Sequence, residues 1–448
     1  MKPWHIKRFT ELAIGDPSFR AGLFNNPSDI VRQWGIDVDP RRLRFIWDPE
    51  YQERHDFGAD DSDVQEYLAW TAAKREKALS WLRFLEEETP SPFREWRRRQ
   101  ANRYATQAVD GSLRRKRLLP CAIELSKGCT IGCDYCGLAA ERLQAVARFN
   151  RQKNQELFTQ VLLMMKEFVG HGAATGFLYW ATDPFDNPDY EKYLTVFDQI
   201  LGIPPQTTTA AWGRNLRRTR SFLQLRQRMD GIWDRFSVNS LDDLYLLMQN
   251  FSARELANVE LVLHNPGSLR EKCVAGRGGE ADSEAKVGSI ACVSGFLINL
   301  HDRSIRLISP CTDFERWPLG YAIYKEGNFR ESIGQLKEFV SECETEVFGK
   351  VWDECIKPKL RSDFKKIDDG LHGGPIALKT NFARLVFNTE LEKSLLRAIN
   401  GERSIGELIK TMSHNYHPAQ TYQVIKDLHE NGVFEHLPEQ NSGCERVL

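Results

Sequence analysis

Cys129-Thr130-Ile131-Gly132-Cys133-Asp134-Tyr135-Cys136 comes shortly after the apolar run Cys121–Leu125. Its C-x3-C-x2-C spacing lays three thiols on one loop after a predicted strand. Three thiolates can ligate three irons of a [4Fe–4S] cube and leave the fourth iron open. The C-x2-C-x2-C-x3-C run of electron-transfer ferredoxins is different, because it carries a full set of its own. Zinc would ask for a partner C-x2-C or a His pair, and none lies nearby. The loop therefore points to an iron–sulfur cluster with one open coordination position.

Outward from this loop, residues 118–312 alternate short apolar runs with longer amphipathic stretches, the pattern of repeated βα units around a parallel sheet. Strands are expected at Cys121–Leu125, Thr175–Ala181, Thr207–Ala211, Arg235–Val238, Val259–His264 and Ser289–Leu300, the last running on to Ile305–Ser309. Asn154–Val169 and Tyr190–Leu201 read as helices between them. Five or six such units are too few for a closed eight-stranded barrel and suit a partial (β/α)6 barrel. The α/β fold expected is that partial barrel in residues 111–320. A helical N-terminal region (1–110) precedes it, a helical linker region (321–372) comes after it, and a winged-helix domain (373–438) ends the fold. In the last, Leu391, Leu395, Leu396 and Ile399 share one helical face, and Gly432-Val433-Phe434 reads as a short closing strand.

The 448 residues are 41% hydrophobic and 27% charged with a formal net charge of −1, so no global field favours nucleic acid or an anionic membrane. Arg97-Arg98-Arg99 and Arg114-Arg115-Lys116-Arg117 are local basic clusters, read as solvated faces or as a docking surface for an acidic peptide. No apolar run approaches the ~18 residues that span a bilayer, and Met1-Lys2-Pro3-Trp4-His5 lacks a signal-peptide core. A cytoplasmic location is expected, where clustered cysteines serve as metal ligands or catalysts rather than in disulfides.

The loop resembles the signature of the radical S-adenosylmethionine (radical SAM) superfamily, C-x3-C-x-aromatic-C, with Tyr135 in the aromatic place. The resemblance implies that Cys129, Cys133 and Cys136 hold a [4Fe–4S] cluster and that S-adenosylmethionine chelates the open iron. It also implies cleavage to a 5′-deoxyadenosyl radical that abstracts hydrogen from carbon. Further contacts to S-adenosylmethionine are expected from Thr182 and Asp183, although the family's glycines are missing there, and from Arg214, Ser237, Asn239 and His264. The polar residues among these have a plain alternative as turn caps.

Cys311 and Cys292 bracket a predicted hairpin. They admit three readings: ligands of an auxiliary cluster, buried structural thiols, or a hydrogen-atom donor. A thiol opposite the radical could quench an amino-acid Cα radical from the other face and turn an L residue into D. Cys311, after Ser309-Pro310 at a strand end, is the preferred donor and Cys292 the alternative. Cys273, Cys343, Cys355 and Cys444 read as incidental.

Residues 8–40 resemble the leader of nitrile-hydratase-type (proteusin) precursor peptides. The segment around Asn400-Gly401-Glu402 resembles winged-helix domains that bind leader peptides by adding a strand to a sheet edge. Together with the cluster loop, these features resemble the radical SAM peptide epimerases of proteusin pathways. The resemblance implies a ribosomal precursor peptide, leader and core, as substrate and a flavodoxin- or ferredoxin-type reductase, with no nucleic-acid or membrane partner. A peptide-crosslinking or oxidising maturase and a leader-binding presenting protein are the alternatives.

Overall fold

The computed structural model describes residues 1–54, 61–83, 91–107, 118–149, 151–270, 272–278, 288–348, 354–368, 374–380 and 383–434. Arg114-Arg115-Lys116-Arg117, Cys444 and the last four residues of the expected winged-helix segment lie outside them. The chain is mixed α/β and groups into two compact units. The first is Met1–Glu87 with Ala122–Lys272 and Asn299–Asp302, and the second is Glu88–Cys121 with Cys273–Ile298 and Arg303–Leu448.

The strands, in chain order, are β1 (Leu119–Glu124), β2 (Ser126–Lys127), β3 (Ala145–Val146), β4 (Thr208–Thr209), β5 (Asp234–Val238), β6 (Val259–Leu263), β7 (Val293–Asn299), β8 (Ser304–Pro310), β9 (Tyr321–Asn328), β10 (Lys365–Asp368), β11 (Ile376–Lys379) and β12 (Arg384–Phe387).

The first unit opens on helices Pro3–Gly15, Pro17–Asn25 and Pro27–Gln33, each starting on a proline. At that position the missing N–H costs nothing and the fixed φ suits the helix. Asp16 caps the second helix by accepting from Ser18 N at 2.8 Å. Phe9 and Phe19 are buried and meet edge to face at 5.5 Å. Asn265 Nδ2 donates to Gly15 O at 2.7 Å, and Arg20 donates to Ala13 O, Ile14 O and Gly267 O. The leader-like segment is thus packed into its unit by buried aromatics and long-range hydrogen bonds.

In the same unit β4, β5 and β6 form a parallel sheet in that order, with Phe236 opposite Leu261. Alternate residues of β5 and β6 are buried, as a half-covered face requires. The strand expected at Thr175–Ala181 is reduced to one parallel bridge, Ala122 to Phe177. A 3-10 turn occupies Gly170–Thr175, and Pro184 and Pro188 keep the chain beyond Asp183 in turns.

In the second unit the sheet order is β1-β7-β8-β9, the division between the units falling inside β1 and β7. β8 and β9 are antiparallel, with a bulge beside Leu307 and Ile308. β9 lies where the sequence pattern predicts a helical linker region. Tyr321, Ala322 and Tyr324 are buried, and pairing with β8 outweighs the helical character of the chain on the far side of β9. The helix Pro92–Ala105 contributes Phe93 and Trp96, which pack against Phe296, Phe348 and Tyr324. Of the arginine run expected on a solvated face, Arg98 is exposed but its two neighbours are not. Arg97 and Arg99 are buried, Arg97 donates to Leu118 O at 2.6 Å, and Arg98 and Arg99 both reach Glu430.

The C-terminal part has an antiparallel sheet β10-β11-β12 and helices Glu390–Ala398, Ile405–Met412 and Pro418–Glu430. Thr389 with Glu392 and Ser404 with Glu407 form capping boxes, and Leu395, Leu396, Ile405, Leu408 and Ile425 fill the core. Phe434 makes a single antiparallel bridge to Leu360 in place of the expected closing strand.

Candidate functional site

The cysteine loop belongs to the first unit and is closed at its base by backbone pairing. β2 and β3 are antiparallel, Cys129 N donates to Glu141 O at 2.8 Å, and Leu143 N donates to Cys129 O at 3.2 Å. Gly128 starts the loop at φ 80°, and a Cβ there would lie 2.3 Å from Arg142 O. Only glycine allows that close approach with that backbone.

Each of the three sulfurs receives an N–H. Ile131 N donates to Cys129 Sγ at 3.4 Å, Ala140 N to Cys136 Sγ at 3.4 Å, and Asn239 Nδ2 to Cys133 Sγ at 3.7 Å. Such donors stabilise sulfur that carries negative charge. Burial works against them: it pushes the Cys129 thiol up to about 12, with the carboxylates of Asp183 and Asp186 adding to the rise, and pushes Cys133 up as well. A bound cationic group would tip these sulfurs to thiolates. None of the described cysteines is in a disulfide. Among the described residues no three His, Cys, Asp or Glu side chains converge on a single-ion site. A cube spreads its thiolates over separate irons, and three thiols on one loop are a donor set that would fit it.

Asn239, placed after β5, ties the loop down. Its Oδ1 accepts from the Tyr135 hydroxyl and its backbone N donates to Asp243 at 3.1 Å. The Tyr135 ring stands 4.6 Å from the His264 ring, and the Lys272 ammonium lies 5.8 Å from the Tyr135 centroid. His264 comes directly after β6 and donates its backbone N to Val238 O at 2.8 Å. Burial, with Arg270 and Lys272 nearby, lowers its pKa to about 4, so its imidazole is neutral. Tyr135, Asn239 and His264, far apart in sequence, therefore come together beside Cys133.

The other expected contacts fall differently. The Asp183 carboxylate is buried and accepts from Thr209 Oγ1 at 2.7 Å, Ala210 N at 2.7 Å, Phe185 N at 2.9 Å and Ala211 N at 3.2 Å. This is the turn-cap role, and it joins two loops of the unit. Arg214 binds the cysteine loop itself, donating to Thr130 O at 3.1 Å and to Asp186 Oδ1 at 3.3 Å. Asp186 in turn accepts from Thr130 N at 2.8 Å. Thr182 is half-buried beside Asp183, and Ser237 lies on β5 with its carbonyl accepting from Trp212 Nε1 at 2.8 Å. The sequence pattern assigns no role to Thr130 or Asp186. The acidic, proline-rich stretch Asp183–Asp189 is the available signal for Asp186.

Cys311 and Cys292 belong to the second unit. Cys311 is 2% exposed, its N donates to Gly320 O at 3.0 Å, and burial raises its thiol to about 11. Cys292 is half-buried, and its carbonyl accepts from Leu119 N at 2.8 Å. Arg103 donates to Pro310 O at 2.6 Å and to Ser309 Oγ at 3.2 Å just before Cys311. Among the described residues no helix is long and apolar enough to cross a membrane.

No family model matches the chain. An uncharacterized protein, y4wI of Sinorhizobium fredii (strain NBRC 101917 / NGR234), is 34% identical over 346 residues, which are 73% of this chain and 67% of that protein. The chain belongs to the family of that protein. The crystal structure of BtrN in complex with AdoMet and 2-DOIA aligns at 12% identity and a TM-score of 0.33, covering 52% of this chain and 83% of that one. That overlap is too loose to bear on fold or function.

Proposed function

We propose that this chain is a radical SAM enzyme that epimerises residues of a ribosomally made precursor peptide. The observation that carries the first part is the cysteine loop after β1, with an N–H directed at each of its three sulfurs. Cys129, Cys133 and Cys136 would hold a [4Fe–4S] cluster whose open iron takes S-adenosylmethionine, and the chemistry supplied there is one-electron cleavage to a 5′-deoxyadenosyl radical. Asn239 and Tyr135 fix the loop, Arg214 and Asp186 brace its Thr130 end, and neutral His264 lines its flank.

The epimerase assignment rests on Cys311 and on the flanking segments. A buried thiol held protonated by its surroundings is suited to give a hydrogen atom to a Cα radical, and burial keeps Cys311 in that form. β12 is an edge strand with Val386 46% exposed, the kind of edge to which a leader peptide adds as a further strand. A flavodoxin- or ferredoxin-type protein would supply the electron.

The test is coexpression with a precursor peptide of the nitrile-hydratase-leader type, in D2O. Deuterium is expected at Cα of D residues with no other change in peptide mass. Cys311→Ala is expected to abolish the label while S-adenosylmethionine is still cleaved. A product two mass units lower without deuterium at Cα would indicate crosslinking or oxidation and reject epimerisation.

A further inference from the structure

Ser294 on β7 and Ser309 on β8 face each other, their hydroxyls 2.7 Å apart. β7 and β8 are neighbours in the sheet and are joined by only four residues, which makes them antiparallel. In that register, stepping two residues back along β7 and two forward along β8 brings Cys292 opposite Cys311. Side chains repeat every second residue, so both thiols lie on the face that holds the two serine hydroxyls.

The backbone bonds say which kind of pair this is. Cys292 turns its carbonyl to Leu119 on β1, and Cys311 turns its N–H to Gly320 near β9. The Cys292 carbonyl and the Cys311 N–H thus both point away from the other cysteine. The two form a non-hydrogen-bonded antiparallel pair, a type whose Cα atoms lie about 4.5 Å apart. Disulfides need Cα atoms roughly 4.4–6.8 Å apart.

We propose that Cys292 and Cys311 are a reversible cross-strand thiol–disulfide pair in which Cys292 resolves oxidised Cys311. The two are unequal in access, Cys311 being buried and Cys292 half-buried. A reductant arriving from solvent reaches Cys292 first. The role of the pair in turnover rests on the epimerase reading of the chain. After giving up a hydrogen atom, Cys311 is a thiyl radical. Cys292 releases its proton to solvent and its thiolate adds to the thiyl, one electron passes to an oxidised one-electron carrier of the ferredoxin or flavodoxin class, and the S–S bond remains. A dithiol reductant then attacks Cys292, breaks the S–S bond, and returns two electrons and two protons to restore both thiols.

The full-length protein, reduced under anaerobic conditions, is treated with diamide, which takes two thiols to a disulfide. Remaining thiols are blocked with N-ethylmaleimide, and peptides are mapped without reduction. One linked pair containing residues 292 and 311 is expected, released by dithiothreitol. Separate alkylation of both, or a link from Cys311 to Cys121 or Cys273, overturns the proposal without relying on any variant. With the precursor peptide in D2O, Cys292→Ser is expected to allow about one labelled residue per chain and then stop. Label that continues unabated in Cys292→Ser overturns the resolving role and leaves the epimerase assignment standing. The 292–311 link forming while wild type gives no label supports the pair and rejects the epimerase.

Discussion

Asn239 joins Tyr135 to Cys133: its Oδ1 accepts the tyrosine hydroxyl while its Nδ2 donates to the cysteine sulfur at 3.7 Å. One side chain from the β5 end thus orients both the aromatic residue and a cysteine proposed to ligate the cluster. Removing a neighbour that orients a metal ligand typically costs ~10–100-fold in metal affinity or activity. Asn239→Ala is expected to lower iron retention after anaerobic reconstitution by about that range, with an unchanged far-UV spectrum. Tyr135→Phe, which removes only the hydroxyl, is expected to cost less. Iron content and visible absorbance measure both, and full retention in Asn239→Ala would reject the bridging role.

Gly128 is the second test of the loop. At φ 80°, with Arg142 O 2.3 Å from where a Cβ would stand, alanine cannot enter without moving the backbone. Gly128→Ala is expected to abolish stable cluster binding, whereas Gly132→Ala, where open space surrounds the Cβ position, meets only the strain of its own φ of 69°. The ratio of iron content in the two variants is the readout, and equal loss would count against the argument.

Asp183 gathers four donors from two loops, so its loss leaves buried groups unpaired. Each unsatisfied buried donor costs ~1–3 kcal/mol, less where water enters. Asp183→Ala is expected to destabilise the first unit by about 3 kcal/mol, and Asp183→Asn, which keeps an acceptor, by less. Urea denaturation followed by fluorescence measures both, and an unchanged midpoint in Asp183→Ala would refute the capping role.

His264 makes a pH prediction. Burial, then Arg270 and Lys272, lowers its pKa to about 4, against about 6.5 for a free imidazole. Between these values the unfolded chain binds a proton that the folded chain refuses, so stability rises with pH there. The contribution is complete above about pH 6.5 and is lost as pH falls toward about 4, amounting to on the order of 3 kcal/mol. In His264→Gln this component is expected to vanish, so the stability difference between about pH 7.5 and about pH 4.5 should shrink relative to wild type. An identical pH slope in the two proteins would refute it.

Much of the site and fold is legible in the sequence, and the exceptions have physical causes. The cysteine loop and the β5 and β6 strands depend on residues a few positions apart, and local spacing records them. The extra strand Tyr321–Asn328 is not legible, because its pairing with β8 outweighs a weak local preference. The burial of Arg97 and Arg99 is hidden for a similar reason, since an arginine run reads as a solvated face until Leu118 and Glu430 are brought to it.

The chemistry available to this chain is written in its residue types and their spacing: three thiols on one loop, and two more bracketing a hairpin. Which group each polar side chain serves comes from packing across large sequence separations. Asp183 finds Thr209 and Ala210, Arg214 finds Thr130, and Asn239 finds Tyr135 and Cys133. Sheet register sets Cys292 opposite Cys311 in the same way. Hydrogen bonds and thiol pairing act over a few ångströms, and only the folded backbone decides which residues come that close.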